Sequence, residues 1–375
     1  MKFNKITFTI LSLIGLVSAA VTTPSGKPPG SGQSSLNGYP PMDQTPPTNQ
    51  PWFRKVDLSK VPNISPRKNF QDCPPKGAAD PNCVWSCSQC QSKDDVYFCP
   101  NQGDWGLTFD DGPASSQTGK LLTLLDSAKL KATFFIVGSR VVEFPDTLMK
   151  TYKAGHHIAA HTWSHTPLTT LTNEQIVAEM LWTEKIINDT LGIVTKYMRP
   201  PQGDVDNRVR AVMKALGYIV VLWDYDTGDF LAAPGNKFDP NWIINNVTQW
   251  VKTPPNGVDH GHCSLEHDIH TISVNVIPTV LPMIQNAGFK PQPISTCFGD
   301  KNPYQSLLGG SSGGNSTSSS SGNGNSGSSD SSSNASGSES SNDPTVNTKS
   351  TSDGSSLRVS AYLSFVAFLV GLLSL

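Results

Sequence analysis

The sequence predicts an α/β domain built on a parallel sheet and set between two non-globular ends. Three observations carry this. Between Asp104 and Cys297, short apolar runs alternate with longer amphipathic stretches. That is the pattern of βα units and a parallel sheet, open or closed into a barrel, and periodicity does not choose between the two. The 375 residues include 31 Gly and 29 Pro, and only 37% are hydrophobic and 15% charged. An average globular chain has about 45–50% and 25%, so the composition hides a globular middle. The seven cysteines suit an oxidising compartment, and five of them cluster at Cys73, Cys83, Cys87, Cys90 and Cys99.

Residues 1–20 read as a secretory signal. Lys2 and Lys5 precede an apolar run from Ile6 to Val17, and Ser18-Ala19-Ala20 offers a cleavage site. The run is too short for the alternative, a membrane-spanning anchor. Residues 21–72 form a Pro/Ser/Gly-rich extension, expected to be extended. Residues 73–103 are a Cys-rich segment. Cys87-x-x-Cys90 could suggest zinc or redox chemistry, but in a secreted chain structural disulfides are the plainer reading. Seven is odd, and Cys263, inside an expected strand, is the free thiol.

Expected strands are Trp105–Phe109, Ala132–Val137, His157–Ala160, Lys196–Met198, Tyr218–Trp223 and Cys263–Leu265. Expected helices are Gly119–Ala128, Asn173–Leu191, Asp206–Leu216, Asn241–Val251 and Val274–Ala287. The second opens with Thr172-x-x-Gln175, a capping box, and the third stops at Gly217, a C-cap residue.

Residues 305–356 are Ser, Gly and Asn with almost nothing to bury, and so form a disordered, O-glycosylated stalk. Residues 357–375 end the chain inside an apolar run after a polar spacer. This is the pattern of a GPI signal, with attachment at Gly354 or Ser355; a plain membrane helix is the alternative. Sequons at Asn63, Asn188, Asn246, Asn315 and Asn334 are glycosylation candidates in a secreted chain. A net charge of −2 argues against a nucleic-acid partner.

In α/β folds, ligands gather at the C-terminal ends of strands. Chemically suggestive residues follow these strands. The first ends in Asp110-Asp111-Gly112-Pro113, two carboxylates forced together, which is costly unless a cation lies between them or one is protonated. The third ends in His161-Thr162-Trp163-Ser164-His165. If that segment is a helical turn, both imidazoles share a face and suit one metal. One carboxylate with two imidazoles leaves metal positions open for water. The fourth ends in Arg199-Pro200-Pro201-Gln202-Gly203, the fifth runs into Asp226-Thr227-Gly228-Asp229-Phe230, and the last ends in Leu265-Glu266-His267-Asp268. His267 is a candidate general acid.

These five segments occur in the order of the five motifs of the polysaccharide deacetylases, the NodB-homology group of carbohydrate esterases, which the chain resembles over roughly residues 73–300. Trp105-Gly106-Leu107, the Trp85–Cys90 segment and the GPI-type tail are similar to those of fungal chitin deacetylases. The resemblance implies a distorted (β/α) barrel over residues 104–300. It implies a monomer that removes acetyl groups from chitin or chitin oligosaccharides with a divalent metal, zinc foremost and cobalt as an alternative. Residue by residue, it makes Asp111, His161 and His165 the metal ligands and Asp110 the base acting on water. His267 becomes the acid for the leaving amine. Arg199 pairs with Asp110, and Asp226 holds His267 and raises its pKa. The Gln202 backbone N–H contacts the oxyanion, Leu265 and Phe230 wall the acetyl pocket, and Trp163 stacks near the site. It also implies a Cys99–Cys297 disulfide, with the other N-terminal cysteines paired among themselves.

Two positions depart from the family pattern. Gln202 stands where Tyr or Phe is usual, and Phe230 where Trp is usual. Neither is an acid, base or metal ligand, so the departures bear on the substrate groove. His156, His157, His260, His262 and His270 lie outside the motifs and are read as local hydrogen-bonding or solvent-facing residues.

Overall fold

The computed structural model describes residues 38–232 and 236–305. The expected signal sequence, the expected stalk from residue 306 on, the apolar tail, Asn315, Asn334, Gly354 and Ser355 lie outside the described residues; Gln305, expected to open the stalk, instead pairs with Val194 in a short antiparallel ladder. Among the described residues, no helix is long and apolar enough to cross a membrane.

Among the described residues there are ten strands: β1 Asp104–Asp110, β2 Thr133–Ile136, β3 His157–Ala160, β4 Val194–Thr195, β5 Tyr197–Met198, β6 Ile219–Val220, β7 Tyr225–Asp226, β8 His262–His267, β9 Lys290–Gln292 and β10 Tyr304–Gln305. Eight form one curled sheet in the order β6-β5-β3-β2-β1-β8-β7, with β9 also on β1. Every pair in that sheet is parallel. The seam of this distorted barrel lies between β6 and β7. On β1 the period of two is visible in what each residue touches. Trp105, Leu107 and Phe109 join the core with Leu121, Leu125 and Ile277 from the covering helices. Thr108 and Asp110, on the other face, meet Arg199.

Register aligns the chemistry. Asp110 pairs with His267 of β8, and Ile136 pairs with Ala160 just before His161. The ends of β1, β3 and β8 therefore share one edge of the sheet.

The helices expected from periodicity are present as Gln117–Ser127, Asn173–Leu191, Asn207–Ala215, Asn241–Trp250 and Thr271–Asn286. The Thr172/Gln175 capping box forms. Two short helices, Gly138–Glu143 and Pro145–Lys153, were not expected. Each is too short to display much helical period, though Pro145 at the first turn is a start signal.

The extension is not free-running where it is described. Tyr39 stacks on Trp163 at 5.9 Å between centroids, and Trp52 packs edge-on against Trp182 at 5.0 Å. Its aromatic rings cover the outer face of helix Asn173–Leu191, where leaving them in water would forfeit apolar burial. Arg67 reaches the fully buried Asp204 at 3.0 Å.

Three disulfides join Cys73 to Cys87, Cys83 to Cys90, and Cys99 to Cys297; Cys263 is buried and free. The last bond spans 198 residues and ties the entry of β1 to the end of the domain. Replacing both Cys99 and Cys297 by Ser should lower stability by roughly 2–5 kcal/mol, read as a lower urea midpoint. Among the sequons, Asn63 is exposed. Asn188 and Asn246 are half-buried, and their amides already donate to Ile193 O and Thr227 O.

Candidate active site

Asp110 is the last residue of β1 and is nearly inaccessible. Its Oδ1 accepts from Arg199 Nη1 at 2.8 Å. Arg199, fully buried, also donates to Thr108 Oγ1 and to the Leu222 carbonyl, and its guanidinium lies 4.3 Å from the Phe135 ring centre. A buried carboxylate so paired is held in one fixed orientation.

The chain then turns through Asp111, whose φ of 78° is left-handed. Gly112 follows, where an added Cβ would sit 2.3 Å from Asp268 Oδ2, so no side chain fits. The turn aims Asp111 at two imidazoles: its Oδ1 is 3.4 Å from His161 Nε2 and 3.2 Å from His165 Nε2. That oxygen is buried and has no hydrogen-bond partner. An unpartnered buried carboxylate oxygen is expensive. One oxygen and two nitrogens converging on one point are the donor set of a divalent cation such as zinc. The residues therefore fit the metal that the fold family implies. His161 Nδ1 lies 2.7 Å from the Arg199 carbonyl, which sets the tautomer with Nε2 free to bind.

The segment from His161 to His165 is not a helical turn. Thr162 and His165 have φ of 65° and 60°, and the imidazoles converge through this left-handed loop instead.

His267 ends β8, with Nε2 3.9 Å from Asp111 Oδ2. Its Nδ1 lies 2.6 Å from Asp229 Oδ1, and its backbone N–H donates to Asp229 Oδ2 at 2.8 Å. Burial opposes the imidazolium, but Asp229 first, then Asp111 and Asp110, push its pKa up to about 10. The sequence expectation gave this hold to Asp226. That residue instead accepts the Gly228 N–H at 2.8 Å, and its pKa is raised mainly by burial. The turn Asp226-Thr227-Gly228 carries the chain onward, so the second carboxylate of the motif, not the first, arrives at His267. Asp111 moves the opposite way: burial raises its pKa, but the imidazoles of His165, His161 and His267 hold it well below the usual carboxylate range.

Gln202 sits in a left-handed conformation, φ 55°, on the turn Pro201–Gly203. Trp85 of the Cys-rich segment presses against this turn so closely that a Cβ on Gly203 would lie 2.2 Å from its ring. Leu265 is buried on β8 and Phe230 is 49% exposed beside Asp229. Trp163 does not face a groove. It is fully buried, its indole N–H donates to the Pro41 carbonyl, and Tyr39 covers its ring. Neither Tyr39 nor Pro41 is marked by periodicity, so nothing in the sequence signalled that the extension would occupy this ring.

A second cluster, Asp224, His260 and His262, lies at the start of β8. There His262 Nδ1 is already within 2.7 Å of Asp224 Oδ2, and the Cys263 N–H donates to Asp224 Oδ1. Asp224 and His262 thus satisfy each other, and His260 Nδ1 lies 2.6 Å from the Gly261 carbonyl, without a cation.

A family model described as polysaccharide deacetylase matches residues 99–221. Chitin deacetylase 1 of Cryptococcus neoformans var. grubii is 38% identical over 320 residues, covering 80% of this chain and 67% of that protein. Chitin deacetylase of Amylomyces rouxii is 35% identical over 265 residues, covering 67% and 62% respectively. The chain thus spans about two thirds of the length of these relatives. Among solved structures, the chitin deacetylase of Colletotrichum lindemuthianum superposes with a TM-score of 0.50 at 25% identity, covering 56% of this chain and 95% of that one. With the five motifs gathered on one edge of a curled parallel sheet, this chain belongs to the polysaccharide deacetylase family, the NodB-homology group.

Proposed function

We propose that this protein is a metal-dependent chitin deacetylase. It hydrolyses the N-acetyl groups of N-acetylglucosamine residues, giving chitosan and acetate, and it acts at the cell wall as a secreted, GPI-anchored monomer. One observation carries the catalytic part: the unpartnered Asp111 Oδ1 and two converging imidazoles, with Asp110–Arg199 on one side and His267–Asp229 on the other. The names of the fungal relatives support the substrate, and the two ends of the sequence support the location.

Asp111, His161 and His165 would hold the metal, which when bound polarises a carbonyl and makes water acidic near neutral pH. Asp110, held by Arg199, takes the proton of the attacking water. His267 carries its transferable proton on Nε2, because Nδ1 is committed to Asp229, and passes it to the leaving nitrogen. The Gln202 backbone N–H would be the oxyanion donor, and such a fixed donor is worth roughly 10²–10³ in rate. Leu265 and Phe230 shield the acetyl methyl. A free amine in the product separates this activity from ester cleavage on another acetylated polysaccharide, such as xylan, which leaves a hydroxyl.

Asp111→Ala should lose bound zinc and acetate release together, measured as metal content after dialysis alongside turnover. Full zinc retention by this variant would remove Asp111 from the ligand set.

A further inference from the structure

The loop bearing both imidazoles has a left-handed residue at Thr162 and another at His165. Non-glycine residues persist in such conformations only where neighbours over-determine them. Many of the polar groups of this loop have identifiable partners. His161 N–H donates to the Ile136 carbonyl at 2.8 Å. The Thr162 and Trp163 carbonyls accept from the Gly138 and Ser139 N–H groups at 2.9 and 3.1 Å. The His165 N–H donates to Thr162 Oγ1 at 3.2 Å. Three further donors, two backbone N–H groups and one hydroxyl, converge on Glu179. Its Oε2 accepts the Trp163 N–H at 2.8 Å and the Ser164 N–H at 2.9 Å, and its Oε1 accepts the Ser164 hydroxyl at 2.5 Å.

Glu179 comes from helix Asn173–Leu191 and is 0% exposed. Among the described residues it forms no ion pair, so its carboxylate is matched by loop donors alone. Burying such a group is costly unless every bond is made. Only the observed loop shape makes them all.

We infer that Glu179 is a positioning residue for the metal: it holds the His161–His165 loop in the shape that points both Nε2 atoms at Asp111. This rests on the metal reading proposed above. Partners that orient ligands in this way typically account for 10–100-fold in metal affinity.

Glu184 on the same helix provides the control. It too is buried, but its carboxylate accepts from the Tyr218 hydroxyl at 3.1 Å, away from the loop. The experiment measures zinc affinity by chelator competition, acetate release against zinc concentration, and thermal melting for the parent, Glu179→Gln and Glu184→Gln. The glutamine at position 179 keeps the size but offers one acceptor oxygen in place of two. Glu179→Gln should bind zinc about 10–100-fold more weakly, with most turnover restored by excess zinc. Glu184→Gln should bind zinc like the parent even if its melting temperature falls equally. Parent-like zinc affinity in folded Glu179→Gln, or equal weakening in both variants, would overturn the inference alone. A parent that binds no zinc would overturn the metal reading and this inference with it. If Glu179→Gln does not fold, Ser164→Ala removes the hydroxyl contact to Glu179 together with the one to Thr166 Oγ1 and should weaken zinc binding severalfold, whereas Thr166→Val, which removes the latter contact and keeps the former, should not; unchanged affinity in Ser164→Ala overturns the inference.

Discussion

Asp110→Asn should keep its zinc and lose acetate release by about 10²–10⁴-fold, the usual worth of a positioned general base. The division of labour between the two adjacent carboxylates follows from their partners. Asp111 has an oxygen without a hydrogen-bond partner aimed between two imidazoles, whereas Asp110 is committed to Arg199 on Oδ1. Its other oxygen lies 3.7 Å from His161 Nε2, at the edge of the same cluster. An amide at position 110 can still accept from Arg199 but cannot take a proton. Metal content and turnover should therefore separate in Asp110→Asn and fall together in Asp111→Ala. Equal zinc loss in both variants would mean that the carboxylates act as one ligand pair and that the base lies elsewhere.

Asp229→Asn should lower turnover by about 10²-fold or more and move the alkaline limb of the pH profile to lower pH. The sign follows from the role. A general acid works only while protonated, so activity is lost as pH rises through its pKa. Burial alone would depress the His267 imidazolium, and Asp229 is the foremost group overcoming it, at 2.6 Å from Nδ1. Without that charge the pKa falls, and protonated His267 is lost at a lower pH. Asp226→Asn, which removes a carboxylate bonded to the Gly228 N–H, should leave the limb in place. A limb that moves with Asp226 and not with Asp229 would contradict the geometry.

Much of this site was legible in the sequence because the fold concentrates it at strand ends. Once β1, β3 and β8 are recognised as parallel strands, Asp110, His161 and His267 must emerge at one edge, and the register places Asp110 beside His267. The capping box and the glycine after Leu216 fixed helix boundaries in the same way, since each is a local signal with a local cause.

What escaped depended on conformations that spacing does not encode. The His161–His165 spacing of four suggested a helical turn, yet two left-handed residues achieve the convergence. The resemblance gave the hold on His267 to Asp226, and only the turn at Gly228 decides that the Asp229 carboxylate arrives instead. Glu179 lies 14 residues after His165 inside a helix, where a single buried carboxylate has no periodic signature. The family resemblance implied that Trp163 stacks near the site. Its ring was instead taken by Tyr39, more than a hundred residues earlier in the chain.

The most direct test is acetate release from chitin oligosaccharides by zinc-loaded protein. Chelated protein and Asp110→Asn should be assayed beside it, with acetylated xylan as a second substrate. Release from the oligosaccharides that requires both the metal and Asp110, with free amine appearing in step, is the predicted result. A folded, zinc-bound chain that releases no acetate from either substrate would contradict the account. It would favour a chain that keeps the fold without cleaving its substrate, with Gln202 and Phe230 as the residues to examine.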